Sequence, residues 1–346
     1  MHALVYHGPG QKSWDDMPDP KIENDTDAIV RIDSVTVCGT DLHILKGDVP
    51  ETTPGTILGH EAVGTVQDAG ISVRNVRPGD RVLLSCVSAC GQCRYCRSGR
   101  FGQCLGGGGW IFGHTIDGVQ AEYARVPFAD TSTYKIPEGL TDEQVLYLSD
   151  ILPTGYEVGV LNGRIQPADI VAVVGAGPVG LSCILGARLY SPAHVVAIDP
   201  TPTRRDWALK FGADVAVDPA EAAHTIADLT DGLGADVTIE AVGLPETFEQ
   251  CAELVRPGGH VANVGVHGKP ATLHLETLWI KDLTITTGLV DTHTIPTLLK
   301  AIQGGQLEPR RFTTHRFSMD QVMEAYDTFA RPQETNALKV LMTAGA

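Results

Sequence analysis

The sequence predicts a two-domain α/β protein in which a β-rich domain of mostly antiparallel strands is joined to a doubly wound parallel sheet. Three observations lead there. At 346 residues the chain exceeds one ordinary domain and fits two of common size. Its first ~150 residues are dense in Gly, Pro and short β-branched runs separated by turn signals. From about Asp169 the texture changes, and apolar runs of strand length alternate with helical patterns.

In the N-terminal part, 28–33 and Arg81–Leu84 read as strands, while 78–80 and 137–139 carry the Pro and Gly of turns. Beyond Asp169, strands are predicted at Ile170–Val174, 195–199, Val215–Val217, 237–241 and 260–264, with a further one at 283–287. Helices are predicted between them at 178–190, 204–211, 220–229 and 246–255. Strand–helix alternation with continuously apolar strands marks a parallel sheet covered on both faces. The tail reads as a helix at 295–302, a strand near 314–317, a helix at 319–329 and a last strand at 338–342. Its return to the first domain would make that domain discontinuous. The expected division is residues 1–152 with 291–346 as one domain and 153–290 as the other. There is no internal repeat and no low-complexity tract.

Charge narrows the function. A formal net charge of −16 repels phosphate backbones and anionic lipid, which argues against nucleic acid and membrane surfaces as partners. It does not forbid a small anionic cofactor in a locally favourable site. The start lacks a basic segment followed by an apolar run, and no stretch approaches the roughly 18 consecutive apolar residues of a spanning helix. The expected setting is the cytoplasm.

Of eight cysteines, four crowd together as Cys90, Cys93, Cys96 and Cys104. In an intracellular chain this reads as metal binding. Four thiolates at short spacing make the closed tetrahedral sphere of a structural Zn²⁺, with Gly91, Gly99 and Gly102 supplying turns. Iron–sulfur clusters also use four thiolates, but these spacings do not match the common ferredoxin patterns. Free buried thiols are the remaining reading. A second motif, Gly175-Ala-Gly177-Pro178-Val179-Gly180, follows the predicted strand Ile170–Val174 and opens a helix. Such glycines permit a tight turn, close approach to a pyrophosphate and close helix–strand packing. The helix N-terminus then faces the phosphates. Asp199 ends the next strand, where an acid accepts both ribose hydroxyl bonds of NAD and repels the 2′-phosphate of NADP. Its other reading is a helix N-cap before Thr201.

Two further segments carry metal-capable side chains, Cys38 with Thr40 and His43, and His60 with Glu61. Taken singly, a Cys is often a small core hydrophobe and a His a satisfied polar residue. Together, 59–64 with Gly70 and Val73 resemble the zinc signature of the medium-chain alcohol dehydrogenases. The Cys38–His43 segment, the four-cysteine lobe and the Gly175–Gly180 motif resemble that family too, in the same order along the chain. The resemblance implies a GroES-like catalytic domain with a Rossmann domain, and a dimer or tetramer.

Carried over residue by residue, the resemblance makes Cys38 and His60 ligands of a catalytic zinc. The segment 148–156 has Asp150 where the liver-type enzymes have a cysteine ligand, as in the bacterial secondary-alcohol branch and in formaldehyde dehydrogenases. Three protein ligands and an open position are the catalytic arrangement. Glu61 corresponds to a glutamate that either approaches the metal or orients its ligands. Thr40 and His43 correspond to a proton relay through the cofactor ribose; loop packing and a plain surface histidine are the alternatives. Arg204 falls where a basic residue often lies against the ribose, and with Arg205 it leaves room for NADP. Thr154 corresponds to a residue beside the nicotinamide, and Trp110 to a substrate-pocket residue of secondary-alcohol dehydrogenases, simple packing being the other reading of each. The chain departs from those enzymes in keeping the cysteine lobe and in having Asp199 where their NADP-using members have glycine. The expected function is hydride transfer between a small alcohol, a secondary one by these matches, and NAD, with two zinc ions per chain. Threonine, polyol or formaldehyde oxidation is the alternative, while a zinc-free quinone reductase or a non-catalytic NAD-binding protein would lack ligand or relay residues that are present here.

Overall fold

The computed structural model describes residues 1–345. The chain forms two compact units, one of Met1–Asp150 with the segment from Asp291 onward, the other of Ile151–Val290.

The first unit contributes β1 (His2–Gly8), β2 (Gln11–Asp16), β3 (Ala28–Thr36), β4 (Ala62–Ala69), β5 (Arg81–Leu84), β6 (Tyr123–Val126) and β7 (Thr133–Lys135). The second contributes β8 (Ile170–Val174), β9 (His194–Ile198), β10 (Val215–Val217), β11 (Ala235–Glu240), β12 (Val255–Asn263) and β13 (Thr284–Thr287). The tail adds β14 (Thr313–Ser318) and β15 (Lys339–Thr343) to the first unit.

In the first unit the order is β14-β15-β3-β4-β5-β7, with β6 also pairing β3 and β1 pairing β2 separately. Pairing is antiparallel except between β14 and β15. The tail therefore does return, with Leu341 opposite Thr36. The core of this unit gathers Leu4, Ile32, Leu58, Val66, Phe112, Tyr326 and Met342, all buried. Burial at about 25 cal/mol per Å² of apolar surface makes this core the main support of the loops that leave β3 and enter β4.

The second unit is a parallel sheet in the order β10-β9-β8-β11-β12-β13. Because β8 lies between β9 and β11, the strand order reverses there, and ligands of such sheets bind at the carboxyl ends around that switch point. The run Ile170-Val-Ala-Val-Val174 is continuously apolar and buried beyond its first residue, as a strand covered on both faces requires. The helix Pro178–Ala187 starts with Pro in its first turn after an extended Gly177, since a proline there gives up an N–H the helix does not use. The segment 151–161, unassigned from sequence, is helical, with a π-helical stretch over Gly155–Leu161.

Candidate active site

The end of β3 delivers Cys38 as the residue that precedes the helix Gly39–Lys46. Asp41, in the first turn of that helix, reaches back so that its Oδ2 accepts the Cys38 N–H at 2.9 Å. This bond fixes the Cys38 backbone at the start of the helix. His60 and Glu61 lie just ahead of β4 and are buried. Asp150 closes the group: its Oδ2 lies 3.4 Å from Cys38 Sγ and 3.4 Å from His60 Nε2. One donor atom each from Cys38, His60, Glu61 and Asp150 falls within 4.8 Å of all the others. A tetrahedral zinc, with bonds of about 2.0 Å to nitrogen or oxygen and 2.3 Å to sulfur, sets donor–donor edges of about 3.3–3.8 Å. The donor set and its spacing fit that ion.

The charge environment agrees. Burial raises the Cys38 thiol pKa, and Asp150 adds to it. Against the cost of burial, Asp150 and Cys38 hold the His60 imidazole well above its ordinary value. Glu61 is pushed up to about 7 by burial, although Lys339 opposes the shift. Its Oε1 accepts from Lys339 Nζ at 2.6 Å, and Nζ also donates to the Val37 carbonyl at 2.7 Å.

Thr40 Oγ1 is 3.6 Å from Cys38 Sγ, beside the cluster. His43, three residues on, is exposed and pairs through Nδ1 with Asp48 Oδ2 at 2.8 Å. Trp110 is half-buried against the core of the first unit and stacks on His114 with ring centroids 4.1 Å apart. Two of the glycines before it mark close packing: a side chain at Gly108 would meet the Ser88 carbonyl oxygen at 2.4 Å, and one at Gly106 would meet Cys90 Sγ at 2.6 Å.

In that lobe Cys93 Sγ lies 3.4 Å from Cys96 Sγ, and Cys90 Sγ 3.9 Å from it, against about 3.8 Å for the edge of a zinc tetrathiolate. Backbone N–H groups of Cys96 and Leu105 donate to Cys93 Sγ and bring its thiol down to about 6. Burial and the neighbouring Cys93 thiol raise Cys96 to about 12. Gly91 and Gly99 take positive φ as turns, whereas Gly102 does not; its N–H instead donates to Asp291 Oδ1 at 2.9 Å.

In the second unit, Gly175 has φ +96°, and a side chain on Gly180 would sit 1.8 Å from the Gly175 carbonyl oxygen. Only glycine at 180 lets the helix Pro178–Ala187 approach β8 so closely. Gly177 has extended backbone, and the place its Cβ would take is 2.9 Å from Arg204 Nη1. Asp199 follows β9 and is buried. Its Oδ2 accepts the Ala176 N–H at 2.9 Å and its Oδ1 the Thr201 N–H at 2.8 Å. Arg205 is committed elsewhere, donating to the Asp199 carbonyl at 2.7 Å and facing Asp218. Arg204 is thus the arginine at the glycine loop. Thr154 ends the short helix Ile151–Thr154 of this unit.

Residues 24–138 match the alcohol dehydrogenase GroES-like domain family, and residues 178–304 match the zinc-binding dehydrogenase family. An alcohol dehydrogenase of Cupriavidus necator is 37% identical, with 98% of each chain covered. The chain belongs to the zinc-dependent medium-chain alcohol dehydrogenase family. The zinc dependent alcohol dehydrogenase 2 of Streptococcus pneumonia, solved in its apo form, is 48% identical with a TM-score of 0.95, covering 100% of this dehydrogenase and 99% of its own chain. The alcohol dehydrogenase TADH of Thermus sp. ATN1 is 35% identical with a TM-score of 0.93 and full coverage of both chains. More distant solved relatives hold NADH in one case, from E. coli CFT073 at 26% identity, TM-score 0.89 and 99% coverage of each chain, and NADP in another, from Sinorhizobium meliloti 1021 at 28%, TM-score 0.86 and coverage of 99% and 98%.

Five residues of the dehydrogenase's site escape a reading of its sequence. Asp41 Oδ1 faces His60 Nδ1 at 3.7 Å, and Asp41 Oδ2 also accepts from Gln120 Nε2 at 3.2 Å. Gln120 Oε1 in turn accepts from Tyr326 Oη at 2.6 Å. Lys339 neutralises Glu61 from 278 positions away. Cys86 places its sulfur 3.6 Å from Asp150 Oδ1. Only Asp41 carried a local signal, as an acid in the first turn of a helix. No helix among the described residues is long and apolar enough to cross a membrane.

Proposed function

We propose that this dehydrogenase oxidises small alcohols, secondary alcohols foremost, with NAD, and that each chain holds two zinc ions. The observation that carries the reading is the convergence of Cys38, His60 and Asp150 on one point, three protein donors that leave a tetrahedral ion one position for a substrate oxygen. When bound, zinc supplies Lewis acidity toward the alcohol hydroxyl and NAD the hydride acceptor. The chain's own groups do the rest. Thr40, beside Cys38, takes the hydroxyl proton at Oγ1, since a hydroxyl accepts and donates in one step. His43, exposed and oriented by Asp48, hands a proton to water. Lys339 sets a positive charge against Glu61, and the buried Asp41 carboxylate lies 3.7 Å from His60 Nδ1, where it would favour that ring position as the protonated one. Asp199 beside the glycine loop supports NAD over NADP, and Trp110 with Asp150 supports secondary alcohols and their ketones. The cysteine lobe takes the second, structural zinc. Eight cysteines with no disulfide among them suit the reducing cytoplasm, and we place the enzyme there as a homo-oligomer.

The test joins metal analysis to a substrate panel of primary and secondary alcohols, threonine, polyols and formaldehyde with each cofactor. Wild type should carry about two zinc equivalents, four- and three-ligand spheres each taking one. Asp150→Ala should lose one of them and its turnover while keeping its fold by circular dichroism. A wild-type enzyme with one zinc, released on replacing Cys38, would remove the structural site from the reading.

A further inference from the structure

Cys86 has no part in the chemistry above, yet it is buried and its sulfur lies 3.6 Å from Asp150 Oδ1. The other carboxylate oxygen, Oδ2, is the one that faces Cys38 and His60. We propose that Cys86 is a positioning residue for Asp150, its S–H donating to Oδ1 so that Oδ2 alone is presented to the metal. This rests on the reading that Cys38, His60 and Asp150 hold the catalytic zinc.

Three observations support it. An ionised carboxylate only accepts hydrogen bonds, so the thiol must be the donor of this contact. The contact is built into the backbone as well: the Cys86 N–H donates to the Ser149 carbonyl at 2.9 Å, and the Ser85 N–H donates to the Ser132 carbonyl at 2.9 Å. The segment after β5 is therefore stitched directly to the residue preceding Asp150, and the sulfur's place follows from that stitching. Finally, Cys86 is not one of the four residues whose donor atoms converge within 4.8 Å, so its sulfur touches the carboxylate without sharing the point on which those donors meet. An aspartate free to turn about its last bond offers a metal either oxygen or both. A donor on the outer oxygen removes that choice, and partners of this kind typically govern metal affinity by about tenfold to a hundredfold.

Two variants separate the hydrogen bond from packing. Cys86→Val keeps an apolar side chain of similar size and removes the donor; Cys86→Ser keeps a donor. On the holoenzyme, competition with a chelator should show the catalytic zinc of Cys86→Val released about tenfold to a hundredfold more readily. Its cobalt-substituted form should show altered visible d–d bands as the carboxylate changes its mode of binding. Cys86→Ser should move both readouts back toward wild type. Wild-type chelator competition and wild-type cobalt bands in Cys86→Val would overturn the proposal, as would equal loss in the Val and Ser variants. Asp150→Ala serves as the control on the underlying reading. If it retains both metal equivalents, the proposed catalytic centre itself is wrong. If it loses one while Cys86→Val behaves as wild type, only the role of Cys86 fails.

Discussion

Asp199 has a structural duty and, on the proposed reading, a selective one as well. Its two oxygens hold the N–H groups of Ala176 and Thr201, yet an ionised carboxylate has about four acceptor sites, so ribose hydroxyls can still be bound. Against a 2′-phosphate the same charge repels. Replacement by glycine would remove the repulsion and the loop's anchors together, so Asp199→Asn is the cleaner variant. It keeps an acceptor and drops the charge. The ratio of kcat/KM for NADP over NAD should rise about tenfold in Asp199→Asn, a difference of about 1.4 kcal/mol. Asp199→Gly should add a loss on NAD. Arg204 at the glycine loop is the group that would meet the phosphate, since Arg205 is held by the Asp199 carbonyl and Asp218. An unchanged ratio in Asp199→Asn would reduce Asp199 to a loop anchor. Thr40 is separable by the same logic. Thr40→Ala should lower kcat by about a hundredfold, the range of a lost general acid–base group, with NAD affinity nearly unchanged. Near-normal turnover would remove Thr40 from the proton path.

At the scale of elements, the cysteine lobe is a segment with little apolar core of its own, Cys96 being its buried thiol while Leu105 is exposed. On the proposed reading, sulfur–metal bonds supply its order. Cys93→Ser should release one zinc equivalent and lower the melting temperature, by about 2–4 °C for each kcal/mol lost in a domain this size, while the zinc at Cys38, His60 and Asp150 remains. A variant that keeps both zinc ions and its melting temperature would mean that the lobe is held by packing. The lobe also shows what a sequence discloses. Regular elements were legible because strand and helix periods are local: β8, β5 and β10 fall on the residues their apolar runs mark, and the tail's two strands join β15 to β3 as its pattern suggests. The donor groups were legible because cysteine spacing is local too. Partners set by the tertiary fold were not. Nothing near Glu61 points to Lys339, nothing near Asp41 points to Tyr326 through Gln120, and Cys86 reads as a core residue until Ser149 is seen bonded to its backbone. Nor does a sequence say what fills the place of a missing side chain: at Gly106 it is Cys90, and at Gly108 the Ser88 backbone.

At the scale of the whole molecule, the second unit has an edge that a solitary chain would not be expected to leave open. Among the described residues β13 pairs only with β12, and in the segment between these strands Val266, Leu275, Trp279 and Ile280 are each at least 60% exposed. Exposed apolar side chains and a strand edge left unpaired are each features that association can cover, since such an edge invites pairing with a second strand. A second copy of the chain is the occupant that best suits it, since an isologous contact would pair edge with edge and patch with patch. The net charge of −16 works against such association, because like-charged copies repel over the Debye length, about 8–10 Å at moderate salt. Apolar burial must therefore exceed that repulsion, and added salt should favour assembly. The measurement is native mass by light scattering at low and moderate salt, set against the monomer mass of 36.9 kDa. Wild type should run at a multiple of that mass, more completely at the higher salt. The double variant Trp279→Glu, Ile280→Lys places charge where apolar surface would be buried, and it should shift the population to the monomer with its secondary structure intact. A wild-type protein that stays at the monomer mass in both salts would show that this edge is left to solvent, and a double variant that assembles as wild type does would place the contact elsewhere on the chain.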